Sequence, residues 1–118
     1  MTRNRASAKA AGARFARHVA DHFRANGHPF ADKAPLTGRF DKGDVANVHH
    51  FDGHPIALEL KNTARLDLPG WWREALAEAR NLGTPYAAVV HKRHGVGAPG
   101  EQWVTMTVDQ FNDMIRGA

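Results

Sequence analysis

Hydrophobic positions recur at two different periods along this chain, and the switches between them mark its elements. Between residues 7 and 26, Phe15, Val19 and Phe23 fall every four residues, and Ala8 and Ala11 extend the stripe. That spacing predicts an amphipathic helix. Gly27 supplies its stop, and 28–38, with Pro29 and Pro35, reads as a loop. From 55 to 62 the period is two: Ile56, Leu58 and Leu60 share one face of a strand, and Ala57, Glu59 and Lys61 the other. A partner strand is expected at 38–49, joined to it antiparallel through a turn at Asp52-Gly53. Asp67-Leu68-Pro69-Gly70 opens a second helix, 71–81, which Leu82-Gly83-Thr84-Pro85 ends. Residues 86–91 form a nearly unbroken apolar run, the mark of a central strand covered on both faces. A Gly-rich loop at 94–100 leads to a strand at 102–107, and Thr107 is placed to cap a last helix, 108–116. The order αββαββα predicts an α/β domain, a central mixed sheet of about four strands flanked by helices.

The length of 118 residues suits one domain, 1–118, with a modest core. Sixteen Lys and Arg against 12 Asp and Glu leave a net charge of +4, and the pI near 10.0 suits a polyanionic partner. The distribution is uneven. Up to Arg24 the cations are Arg3, Arg5, Lys9, Arg14, Arg17 and Arg24, opposed only by Asp21. A solvated helix face would look the same, but a nucleic-acid contact fits a small basic chain better. With no cysteine, neither a disulfide framework nor a thiolate zinc site is available. No apolar run approaches the ~20 residues of a membrane span, and the N-terminus lacks a signal peptide's apolar segment. A soluble cytoplasmic protein, in a bacterial or phage-infected cell, is the expectation.

The chemistry concentrates in two strands. Glu59 and Lys61 point the same way, roughly 6.5 Å apart along their strand. The antiparallel return brings Asp44, after Gly43, to the same place. Two carboxylates and an ammonium converging on a sheet edge suit a hard divalent cation and an activated water, the requirements of phosphodiester hydrolysis. Asp41 ranks second to Asp44: regular alternation puts it on the other face, unless Gly43 marks a bulge that brings it round.

This Asp-x(n)-Glu-x-Lys pattern resembles the PD-(D/E)XK nuclease superfamily. The basic N-terminal helix, Asp41-Lys42-Gly43-Asp44, Leu58-Glu59-Leu60-Lys61-Asn62, Trp71-Trp72-Arg73-Glu74-Ala75 and Ala88-Val89-Val90-His91-Lys92-Arg93 together resemble small phage-encoded Holliday junction resolvases. Gly43 stands where the superfamily's Pro would be, and Ala16 where these enzymes often carry a first-helix Glu. The resemblance implies a restriction-endonuclease-like fold. It also implies Mg²⁺, with Mn²⁺ as a substitute, on Asp44, Glu59 and the Leu60 carbonyl. Lys61 would orient the attacking water, and Glu74, early in the second helix, would face the metal. Glu78, one turn on, could share that face. The implied substrate is a four-way DNA junction, cut by a homodimer with two sites. Nucleases acting on other branched or duplex DNA, and a non-catalytic DNA-binding module on the same fold, remain alternatives.

Other signals are weaker. Arg73 can reach a phosphate, and the cationic run His91-Lys92-Arg93-His94 leaving the central strand is a candidate phosphate clamp. DNA contacts are thus expected from Arg3, Arg5, Arg14, Arg17, Arg73, Lys92 and Arg93. His49 and His50 fall on opposite strand faces, which disfavours a zinc site with His54. The 95–100 loop lacks the Gly-Lys-Ser/Thr ending of a phosphate cradle. Of Trp71 and Trp72, one should pack on the sheet and leave the other free for a partner.

Overall fold

Asn4 begins the first helix by accepting a hydrogen bond from the Ser7 N–H at 2.8 Å, satisfying one of the free donors of the first turn. The computed structural model describes residues 4–35 and 41–118, so Arg3 and positions 38–40 of the expected first strand lie outside it. Helix α1 spans Arg5–Ala25 with Asn26 as its C-cap, and Gly27 follows with a φ of +108° that a residue with a Cβ would resist. After it come the strands β1 (Asp32–Lys33), β2 (Val45–Ala46) and β3 (Ile56–Lys61), then helix α2 (Leu68–Leu82) and strand β4 (Tyr86–His91). A 3₁₀ turn at Pro99–Glu101, strand β5 (Trp103–Thr105) and helix α3 (Val108–Arg116) complete the chain.

The β3 strand pairs parallel with β4, from Ile56 opposite Tyr86 to Lys61 opposite His91. On its other side β4 pairs antiparallel with β5. Parallel pairing of β3 and β4 requires a crossover, and α2 supplies it. The alternation read from the sequence decides which helix covers which face. Leu58, Ala88 and Val90 pack with Phe15, Val19 and Ala20 of α1, whereas Ala57, Ala87 and Val89 pack with Trp71, Ala75 and Ala79 of α2. Glu59 and Lys61 share the parity of Ala57, so both face α2. The early part of β4 extends beyond β5, and there Gln110 of α3 accepts the Ala87 N–H at 3.1 Å in place of a neighbouring strand.

The fold is α/β, as expected, with two corrections. The described sheets have three strands (β3, β4, β5) and two strands (β1, β2), not about four in one, and the order is αβββαββα. In the described part of the expected 38–49 strand, 41–49, only Val45–Ala46 forms a strand, because Gly43 (φ +103°) and Asn47 (φ +66°) break the extended backbone on both sides. The Asp44 N–H still donates to the Leu58 carbonyl at 2.7 Å, and the Ile56 N–H to the Val48 carbonyl at 2.8 Å. That segment therefore lies along the β3 edge without forming a continuous ladder. The loop expected at 28–38 contributes β1, paired antiparallel with β2. Trp72 is corrected too: it packs against the same cluster as buried Trp71 instead of standing free. Among the described residues, no helix is long and apolar enough to cross a membrane.

Candidate metal centre

Four carboxylates gather where the β3 edge meets α2. Asp44 arrives first. Its N–H is spent on Leu58, and its Oδ2 accepts the Leu60 N–H at 2.7 Å, so the side chain itself extends the pairing along β3. A strand residue directs its N–H and C=O to the same side, so the Leu60 carbonyl leaves on the Asp44 edge. Asp41 comes round through Gly43, whose N–H donates to Asp41 Oδ1 at 2.9 Å. A Cβ on Gly43 would stand 3.2 Å from both the N and O of Leu58, so this close approach as well as the positive φ calls for glycine. From α2, Asn81 Nδ2 donates to the Asp41 carbonyl at 2.8 Å and ties the loop down over the helix.

Asp41, Glu59 and Glu78 each place a carboxylate oxygen within 4.8 Å of the others. Oxygens on opposite sides of one ion at a Mg–O distance of about 2.1 Å stand about 4.2 Å apart, and larger hard cations allow somewhat more. The cluster therefore has the span of a single divalent cation. Glu59 is 6% exposed and Glu78 3%, and Glu78 Oε2 has no hydrogen-bond partner among the described residues. A buried, unpartnered carboxylate oxygen is costly, and a cation beside it removes the cost.

The electrostatics follow from this crowding. Burial first, then the charge and contact of Asp44, push Glu59 up to about 7, against the opposing pull of Glu78 and Lys61. Burial, then Glu59, Asp41 and Asp44, push Glu78 higher still. Without a metal, this buried pair keeps a proton at neutral pH because four like charges do not fit here together. Lys61 is the cation at hand. Its Nζ lies 2.9 Å from Glu74 Oε2 and 3.6 Å from Glu59 Oε1. Burial works against the ammonium, but Glu74, Glu59 and Asp44 outweigh it and hold its pKa above the usual lysine range.

Asp44, Glu59, Leu60 and Lys61 thus come together. Glu74 is half-exposed and bound to Lys61, while Glu78 occupies the buried position beside Glu59. Ala16 is buried in α1 and offers no ligand atom. The cations divide. Arg5, Arg14 and Arg73 are exposed and join no ion pair among the described residues. Arg17 is held by Asp32 at 2.7 Å and Asp21 at 3.5 Å. Lys92 Nζ donates to the Val96 and Arg93 carbonyls of its own loop, and Arg93 lies 4.8 Å over the Trp103 ring. Glu78 could have ranked higher from sequence, because Trp71, Ala75, Glu78 and Ala79 fall on one helical stripe and place a carboxylate in an apolar face. Comparisons with known protein families, characterised proteins and solved structures find no match for this chain.

Proposed function

We propose that this chain is a metal-dependent, structure-selective DNA endonuclease of the PD-(D/E)XK type, acting on four-way junctions. The observation that carries the reading is the buried acid pair Glu59 and Glu78, joined by Asp41 and Asp44 and set beside Lys61. Pure DNA binding has no use for buried acids that repel a phosphate. The Asp44 segment, β3, β4 and β5 form the restriction-endonuclease-like core on this reading, with α1 and α2 on its two faces. Asp41, Asp44, Glu59, Glu78 and the Leu60 carbonyl are the residues to hold Mg²⁺ or Mn²⁺. Such an ion supplies Lewis-acid polarisation of the phosphoryl oxygen and makes a nucleophilic water available at neutral pH. Lys61 positions that water and balances charge at the phosphate, a task suited to a compact ammonium. Glu74 holds Lys61 in place.

Arg5, Arg14 and Arg73 are the best-placed phosphate contacts, since Arg17 and Lys92 are already engaged. Reversing Arg5 and Arg14 to Glu should reduce the log–log salt slope of DNA binding by roughly 0.9 per lost contact. Reversing Arg17 should change that slope little, and a salt series of gel shifts compares them. Equal slopes for all three proteins would mark the helix as a solvated face. Val108, Phe111 and Ile115 form an exposed apolar stripe on α3, a surface that favours a second copy of the chain.

The test is incubation with a synthetic four-way junction and the matching duplex in Mg²⁺, Mn²⁺ or EDTA, with the cuts mapped. Paired nicks related by symmetry, dependent on divalent metal, are expected. Equal cutting of both DNAs would leave a general nuclease, and tight junction binding without cuts would favour a binding module.

A further inference from the structure

Beyond the acid cluster, the loops leaving the carboxyl ends of β3 and β4 part to form a cleft of about 230 Å³. Crevices at the carboxyl ends of parallel strands are common ligand sites. His94 Nε2 lies 2.9 Å from the Thr63 carbonyl and links the two loops at the cleft. Two tryptophans line it, Trp71 and Trp103, with Lys61, Lys92 and the 71%-exposed Leu66. Trp103 is 49% exposed, and Arg93, which does not line the cleft, lies over its ring. An indole held by a guanidinium on one side offers its remaining surface as a stacking platform. His91, also in the lining, bonds Thr105 Oγ1 through Nε2 at 2.7 Å, while its Nδ1 has no partner among the described residues.

The lining mixes aromatic rings with cations. Trp71 is buried and Lys92 is engaged by its own loop, so the groups left to a ligand are Trp103, Leu66 and the Lys61 ammonium. A phosphate alone has no use for the tryptophan and the leucine, and an apolar ligand none for the ammonium. The volume is below the ~300–1,000 Å³ of a drug-sized pocket, so it suits one ring system. Lys61 belongs to both places, since it lines the cleft and lies 3.6 Å from Glu59. We propose that this cleft takes one unstacked nucleobase adjoining the phosphate at the acid cluster, so that the substrate is DNA with an unpaired or unpairable nucleotide at the cut. The proposal rests on the nuclease reading and narrows it. A four-way junction is engaged because nucleotides at its crossover can leave the stack, and a flapped or bulged duplex serves as well.

The probe is a duplex carrying one unpaired 2-aminopurine, compared with the same duplex fully paired, both in Ca²⁺ without Mg²⁺. Wild-type protein should bind the unpaired probe more tightly and quench its fluorescence. Trp103→Ala should lose about 5- to 100-fold in affinity for the unpaired probe alone, the effect of removing one base-stacking side chain. Trp103→Phe should keep most of the preference. Trp103 sits half-exposed on an edge strand, and thermal melts check that the variant folds. Leu66→Glu, in an exposed loop remote from β5 in the chain, should also lose the preference by setting a negative charge at the mouth. Equal losses on both probes, or none, would overturn the base site. Cutting in Mg²⁺ separates the two claims. Cleavage with selectivity unchanged in Trp103→Ala removes the cleft proposal and keeps the nuclease. A binding preference without any cleavage keeps the base site but removes the nuclease reading and, with it, the claim about the cut, and no binding to either probe removes both.

Discussion

Glu78→Gln is expected to stabilise the metal-free protein at about pH 8 while removing most of its response to divalent ions. The sign follows from the raised carboxyls. Glu59 moves from 4.5 to about 7, and Glu78 moves higher, so the folded state binds more protons than the unfolded chain in between. The stability this contributes is fully present below the unfolded value near 4.5 and is lost as pH rises through the folded values. Glutamine keeps the shape, is neutral without the proton that Glu78 must take up on folding, and offers N–H donors to Glu59. Melting in EDTA from about pH 5 to pH 8 should therefore slope downward for wild type and more gently for the variant. Added Mn²⁺ should raise the melting temperature of wild type and leave Glu78→Gln nearly unchanged. A variant less stable than wild type at every pH would remove the picture of a crowded acid pair.

Lys61→Met should lower cleavage by on the order of 10²–10³-fold, the usual effect of removing one group aimed at transition-state charge. Methionine retains much of the alkyl stem, so the variant should fold and bind DNA. Mn²⁺ should still bind, because the carboxylates remain. Lys61→Arg should rescue little, since a planar fork does not fit where a point charge is needed. Single-turnover cutting of a junction gives the comparison. Wild-type rates in Lys61→Met would take Lys61 out of the chemistry and leave it as the partner of Glu74.

Much of this arrangement could be read before the structure. The 86–91 and 108–116 elements emerge with their expected bounds, because a doubly covered strand and a capped amphipathic helix have strong local signals. The alternation around Leu58 assigned Glu59 and Lys61 to one face, and they share it against α2. What the sequence does not show depends on contacts distant in the chain. Asp41 ranked second because alternation assumes a regular strand, yet Gly43 and the Asn81 bond bring it over the helix. Position near the helix start favours Glu74, while the helical stripe favours Glu78 for burial. The Trp103 cleft has no sequence signature, since its walls come from α2, β5 and the loops after two strands joined only by pairing. Charge counting likewise cannot see that Arg17 is occupied by Asp32.

Titration calorimetry with Mn²⁺ tests the metal centre most directly, because it needs no choice of DNA. A divalent ion entering this site must displace the proton held by Glu59 and Glu78. Wild-type protein at about pH 7 should therefore bind Mn²⁺ with proton release, seen as a heat that changes with the ionisation enthalpy of the buffer. Asp44→Asn and Glu59→Gln should each lose most of that heat. An absence of binding in wild type, or binding that both variants retain unchanged, would contradict a divalent-cation site at these carboxylates and the hydrolytic function proposed for it.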